Sequence, residues 1–345
     1  MGDLIPLKIA FITSTPLNVS AGSGTYIGIA TLAQALTELG ITVQTFGLTR
    51  TGAAYTLQRL LFNELMRHRN LAGYNAAIGF DMDGYRLRYP HIASIKGVIA
   101  DEMQYESGLT RMALAVQAAC EGRNVHRARR VITTSRYAAE RIQKLYKLPE
   151  LPRIVPEPIH LAKWRGLFDA NAVARADSRF IVLCVAHFYR RKRIDVLLEA
   201  ARKLESDIPN LEVRIVGDGP EAARLKKMSP ACVHWLGAVS QKELAAEYGL
   251  CDVFCLPSVQ EGFGIVFLEA MAAGKAIVAV RSASAPEVVP HALLANPNDA
   301  DSLAEAIHAL WKDPDLRASI AQLGLERVKE YDAPGIARQF LTALV

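Results

Sequence analysis

The sequence predicts an α/β chain built as two doubly wound parallel-sheet domains, and three observations predict it. Short β-rich apolar runs alternate with helical patterns along the chain, as in parallel sheets covered on both faces. The series of runs restarts near residue 180. Between the two series lies a segment with prolines at 149, 152, 156 and 158, which cannot continue a helix and reads as a linker. The expected domains are 1–158 and 159–332. A last helix at about 333–345, after the break at Pro334 and Gly335, can pack on either half or return to the first domain.

Composition sets the outer limits. A chain of 345 residues suits two cores better than one, because single cores stop growing at about 250–300 residues. A hydrophobic content of 51% with 22% charged residues excludes a disordered chain. No apolar run approaches the roughly 20 residues of a spanning helix. MGDLIPLKIAFITS lacks the basic start, long apolar centre and cleavage site of a signal peptide, so it reads as the approach to a strand. The five cysteines have neither disulfide nor zinc spacing, and Cys251 and Cys255 sit inside an apolar run as buried thiols. The expected compartment is reducing and cytoplasmic.

The net charge of +5 is uneven. Residues 1–160 hold 18 Lys+Arg against 12 Asp+Glu, and the remainder 22 against 23. Arg123, Arg127, Arg129, Arg130, Arg136, Arg141, Lys144 and Lys147 concentrate the excess. Such a stretch can attract anionic lipid, nucleic acid or a phosphorylated substrate, and a solvated helix face is the plain alternative.

Taken in order, the strands of the first series are KIAFIT, TVQTFGL, NAAIGF, IASIKGVI and RVITTS. After KIAFIT, Gly22, Ser23 and Gly24 precede a helical stretch from Ile27 to Glu38, giving a loop able to approach phosphate. Asp81-Met82-Asp83 follows the third strand and has the D-x-D form of a divalent-metal motif. Contact with an acceptor is favoured over metal binding for it, and no metal site is expected. The second series runs FIVLCVA, EVRIVG, CVHWLG, VFCLPS and AIVAV. His187, Arg190, Arg191, Lys192 and Arg193 follow its first strand, cations placed to neutralise a diphosphate.

The most informative segment is EGFGIVFLEAMAAG, Glu261 to Gly274. Gly262 and Gly264 open a helix whose bare N–H groups and positive dipole end can bind an anion. Ile265, Leu268 and Met271 recur at helical spacing and are expected to face the core. Glu269, flanked by Leu268 and Ala270, needs a hydrogen-bonding partner, and a sugar diol supplies two donors.

That segment resembles the E-x7-E signature of retaining glycosyltransferases of the GT-B architecture, glycosyltransferase family 4 in particular. RIVGDGPE, HWLGAVS and APEVV follow the same order, so the resemblance covers about residues 180–330 strongly and the first half loosely. It implies two Rossmann-like domains facing each other across a cleft. It implies transfer of a hexosyl unit from a nucleoside diphosphate sugar, UDP- or GDP-linked, to a hydroxyl acceptor in glycan, glycolipid or glycoside synthesis, with no cofactor or metal. Glu261, Lys192 and Lys96 are the implied catalytic group. Gly22, Ser23, Gly24, His187, Arg191, Lys192, Gly217, Val239, Phe263, Gly264, Ile265, Val266 and Glu269 are implied at the donor, with Glu261 on the sugar and Glu269 on the ribose. Asp81, Asp101 and Glu102 are candidates for the acceptor. Three positions depart from the pattern: His187 stands where the family reads Arg, Arg193 where it reads Gly, and Lys96 where a strand often ends in His-Gly. Relatives that act on lipid-linked acceptors make peripheral contact at the inner face of the membrane, through Arg123–Lys147, a further expectation, with no nucleic-acid partner. A nucleotide-sugar epimerase on the same architecture and a non-catalytic nucleotide-sugar-binding protein are the alternatives, and Glu261, Lys192 and Glu269 together favour transfer.

Overall fold

The computed structural model describes residues 7–16, 24–48, 54–171 and 178–345. Packing divides the chain into two units, Met1–Pro158 with Asp332–Val345, and Ile159–Tyr331.

The first unit is built on six parallel strands: β1 (Lys8–Thr13), β2 (Thr42–Gly47), β3 (Ala76–Phe80), β4 (Ile92–Ile95), β5 (Arg130–Thr133) and β6 (Arg153–Ile154). Their order is β2-β1-β3-β4-β5-β6. Alternation along β1 explains why both sheet faces are dry. Ile9 and Phe11 point to the side covered by helix Gly24–Glu38, through Ile29, Leu32 and Leu36. Ala10 and Ile12 point to the other side, against Phe62 and Met66 of helix Tyr55–Arg67. The last helix, Ala333–Leu344, packs on this unit: Ile336 and Phe340 join the Ile9–Phe11 core, and the Phe340 ring meets Phe11 edge-on at 6.2 Å.

Two local readings need correction. The fourth run is not an eight-residue strand. β4 stops at Ile95 because Asp81 Oδ1 takes the Lys96 N–H at 2.8 Å, and Val98 then caps a short helix, Ile99–Glu102. The proline-rich segment contains a strand: β6 pairs with β5, Ile132 opposite Arg153.

The second unit holds β7 (Phe180–Val185), β8 (Leu211–Val216), β9 (Val233–Gly237), β10 (Val253–Leu256), β11 (Ala276–Val280) and β12 (Leu293–Ala295). All are parallel, in the order β12-β11-β10-β7-β8-β9. Strand order reverses between β7 and β10, so the loops leaving their carboxyl ends diverge to opposite faces and leave the crevice where doubly wound sheets hold ligands. The continuous apolar runs FIVLCV and AIVAV are buried along almost their whole length, as central strands require.

Candidate active site

The loops at this switch point carry Arg190, Arg191, Lys192 and Glu261. After β7 the chain makes a 3-10 turn, Arg190–Lys192, and enters helix Ile194–Leu204. After β10 it passes Pro257–Gly264 and enters helix Ile265–Ala272. The two loops are stitched together. Val259 N donates to the Arg191 carbonyl at 2.9 Å, and the Ser258 hydroxyl lies 3.2 Å from the same oxygen and 3.0 Å from the Gln260 carbonyl. Beyond the stitch, Lys192 Nζ donates to Glu261 Oε1 at 2.5 Å, with side chains 14% and 11% exposed. A cation and a carboxylate are thus held at the mouth of the crevice, each partly desolvated and each reachable.

The helix start lies next to this pair. Gly264 has φ +88°, and a Cβ there would come within 2.7 Å of the Phe267 ring, so glycine is required on both counts. The N–H groups of Ile265 and Val266 have no acceptor within the helix. Phe263 sends its ring into the core against Tyr331 at 5.5 Å, and its carbonyl accepts from Ser284 Oγ at 3.0 Å. Ile265 is only half-buried, and Phe267 takes the core place expected for it, beside Leu268 and Met271.

Glu269 is buried, and Tyr248 donates its hydroxyl to Glu269 Oε2 at 2.9 Å. Burial pushes the carboxyl up to about 7, against the lowering effect of that hydroxyl. The consequence for stability has a definite sign. The folded protein holds the proton more tightly than the unfolded chain, so the contribution is complete below pH about 4.5 and is lost as pH rises to about 7. Its size is on the order of 3 kcal/mol, at about 1.4 kcal/mol per decade. Glu269→Gln is expected to flatten the stability–pH curve over that window, checked by urea melts from pH 4.5 to 8. An unchanged slope contradicts it.

The remaining donor-side candidates surround the crevice unequally. His187 is exposed, with its ring 4.8 Å from Tyr189. Partial burial and the nearby Arg191 and Lys192 hold its imidazole below the usual range, so it is neutral at neutral pH. The Arg191 guanidinium lies over the Tyr189 ring, 4.7 Å from its centroid. Gly217, at φ +124°, lets the end of β8 lie against the β7 loop, because a Cβ there would sit 1.9 Å from the Ala186 carbonyl oxygen. Val239 follows β9, half-buried at the margin of the core. Arg193 adopts φ +49°, a left-handed conformation at the position where the family pattern has glycine.

In the first unit the candidates are drawn into buried networks. Lys96 Nζ pairs with Glu157 Oε2 at 3.0 Å, with side chains 5% and 3% exposed. Asp81, at φ +53°, accepts from Lys96 N, and its carbonyl accepts from Asn124 Nδ2. Burial pushes the Asp81 carboxyl up to about 6. Asp83 is fully buried: its oxygens receive Ser14 N, Ser14 Oγ and Asn63 Nδ2, with Arg59 at 3.7 Å. Asp101 accepts from Tyr137 Oη and Arg141 Nε, both at 2.7 Å, while Glu102 is half-buried beside it. Gly24 is the exposed first residue of its helix, and Gly22 and Ser23 lie outside the described residues. Among the described residues no group of three or more His, Cys, Asp or Glu is arranged to hold a metal ion. Tyr248 and Glu157 lie far along the chain from Glu269 and Lys96, so no local pattern points to them, whereas Tyr189 and Ser258 sit in the same loops as Arg191 and Glu261.

Two doubly wound parallel sheets in one chain place the protein in the GT-B class of folds. The chain can be superimposed on sucrose-phosphate synthase from Thermosynechococcus elongatus with a TM-score of 0.79 over 98% of both chains at 21% identity, a likeness of fold. Residues 168–327, nearly the whole of the second unit, match the sequence profile of glycosyl transferases group 1. The chain is 32% identical over 191 residues to a GDP-mannose-dependent alpha-(1-6)-phosphatidylinositol monomannoside mannosyltransferase of Mycobacterium tuberculosis, covering 51% of this chain and 48% of that one. It is 33% identical over 168 residues to an N,N'-diacetylbacillosaminyl-diphospho-undecaprenol alpha-1,3-N-acetylgalactosaminyltransferase of Campylobacter jejuni, covering 48% and 44%. The chain thus spans about half the length of these curated relatives.

Proposed function

We propose that the protein is a retaining, metal-independent glycosyltransferase that moves a hexosyl unit from a UDP- or GDP-sugar to a hydroxyl acceptor. The observation that carries this reading is the Lys192–Glu261 pair set beside the bare helix start at Gly264, all at the switch point of the second sheet. In this reading Lys192 and the N–H groups of Ile265 and Val266 receive the diphosphate, Glu261 holds hydroxyls of the sugar, and Glu269 receives the ribose diol. His187 is uncharged, so Arg191 supplies the second positive charge. The anomeric carbon loses the diphosphate and gains the acceptor oxygen on the same face. The acceptor proton passes to an oxygen of the departing phosphate, so no separate base is required. Lys96, Asp81, Asp101 and Glu102 act in this reading from within the first unit, on the acceptor side or as supports for it.

The names of the two relatives support a glycolipid or lipid-linked acceptor. GDP-mannose heads the donor panel, because the mycobacterial relative is named as dependent on it. Thermal shift against UDP- and GDP-sugars tests the donor. A true donor at a hundred times its dissociation constant stabilises by about 2.7 kcal/mol. Its affinity should rise as pH passes about 7, where Glu269 ionises, and lose that dependence in Glu269→Gln. No shift with any nucleotide sugar contradicts the proposal.

A further inference from the structure

Away from the candidate site, six of the ten exposed large apolar side chains among the described residues lie on two helices of the first unit. Helix Tyr55–Arg67 exposes Leu57, Leu61 and Leu65, four residues apart and therefore in one stripe. Helix Gly108–Arg127 exposes Leu109, Met112 and Val116, a second stripe at helical spacing. The exposures are large: 74% for Leu65, 83% for Leu109 and 67% for Met112.

The stripes are neighbours, and buried polar bonds hold them in register. Arg59 Nη1 donates to Gln117 Oε1 at 2.7 Å, and Gln117 Nε2 donates to Thr56 Oγ1 at 2.8 Å. Leu61 and Val116 consequently line one shallow depression, with Arg86 and Arg123 at its margin. Single exposed leucines need no explanation, but a contiguous apolar face does.

The margin identifies what covers this face. Arg86 and Arg123 line the depression, and Arg67 joins Arg86 on Glu64. Glu64, the acidic side chain at the depression, is held between two of them, 3.0 Å from Arg67 and 2.7 Å from Arg86. An apolar surface framed by net positive charge matches an anionic bilayer, where leucines enter the headgroup layer and arginines meet lipid phosphates. A second copy presenting the same face would bring arginine against arginine.

We propose that the face formed by helices Tyr55–Arg67 and Gly108–Arg127 docks on an anionic lipid bilayer. This surface differs from the basic stretch Arg123–Lys147. Of that stretch Arg123 lines the depression, whereas Arg127 donates to the Leu87 carbonyl, Arg130 to the Ala343 carbonyl and Arg141 to Asp101. The inference does not depend on the transferase reading.

The test is flotation of the full chain with phosphatidylcholine vesicles, with and without phosphatidylglycerol. The wild type should float at least about tenfold better with the anionic vesicles, and salt should weaken it. Leu65→Gln combined with Met112→Gln should lose at least about tenfold of that binding, with unchanged Tm and unchanged thermal shift by the donor. Three results would overturn the proposal: equal flotation on both vesicle types, flotation unaffected by the double substitution, or a wild-type dimer that the double substitution dissociates with no vesicle binding.

Discussion

Lys192→Ala is expected to lower donor turnover by about a hundred- to a thousandfold, the usual effect of removing one preorganised group that stabilises developing charge, about 2.7–4 kcal/mol. Two features concentrate that effect on one side chain. Lys192 is fixed by its 2.5 Å bond to Glu261 and by the stitch between the β7 and β10 loops, so its position needs no rearrangement during the reaction. His187, the neighbour that would share the charge in the family pattern, is neutral at neutral pH. Lys192→Arg should recover part of the rate by restoring charge at an imperfect distance. Glu261→Gln should raise the donor KM and lower kcat together, because the amide keeps the shape and loses the pairing. Turnover of Lys192→Ala within a factor of three of wild type would remove the lysine from the mechanism.

Asp83→Ala is expected to destabilise the protein by about 3–5 kcal/mol, the range for removing one partner of a buried ion pair. Asp83 is fully buried and Arg59 nearly so. Without the carboxylate, the buried Arg59 guanidinium loses its ion-pair partner at 3.7 Å, Ser14 N loses its acceptor, and Asn63 Nδ2 keeps only the Arg59 carbonyl. Urea unfolding measures the loss. Chelation of divalent ions should leave wild-type donor turnover unchanged, because the D-x-D carboxylates serve these internal bonds. A metal-dependent rate, or an Asp83→Ala protein as stable as wild type, contradicts this account.

Much of this architecture is legible in the amino-acid order, and the illegible parts have physical causes. Central strands such as Phe180–Val185 and Ala276–Val280 announce themselves because burial on both faces demands unbroken apolar residues. The edge strands Arg153–Ile154 and Leu293–Ala295, two and three residues long, are too short to show a period. The Glu261–Gly274 segment is readable because one turn and one helix contain its chemistry. The partner of Lys96 is not, since Glu157 lies 61 residues away and only the fold brings the two together. Tyr248 likewise reaches Glu269 from a separate helix. The basic stretch Arg123–Lys147 shows the converse limit. It is continuous in sequence but spans a helix end, β5 and a second helix, so its order alone does not say which of its cations share a face.

The most direct test is to incubate the purified chain with a panel of UDP- and GDP-sugars and quantify free nucleoside diphosphate, wild type beside Lys192→Ala and Glu261→Gln. The account predicts release from one nucleotide sugar, accelerated by a hydroxyl acceptor and reduced at least about a hundredfold in Lys192→Ala. No release from any donor, or equal release by wild type and Lys192→Ala, would contradict it.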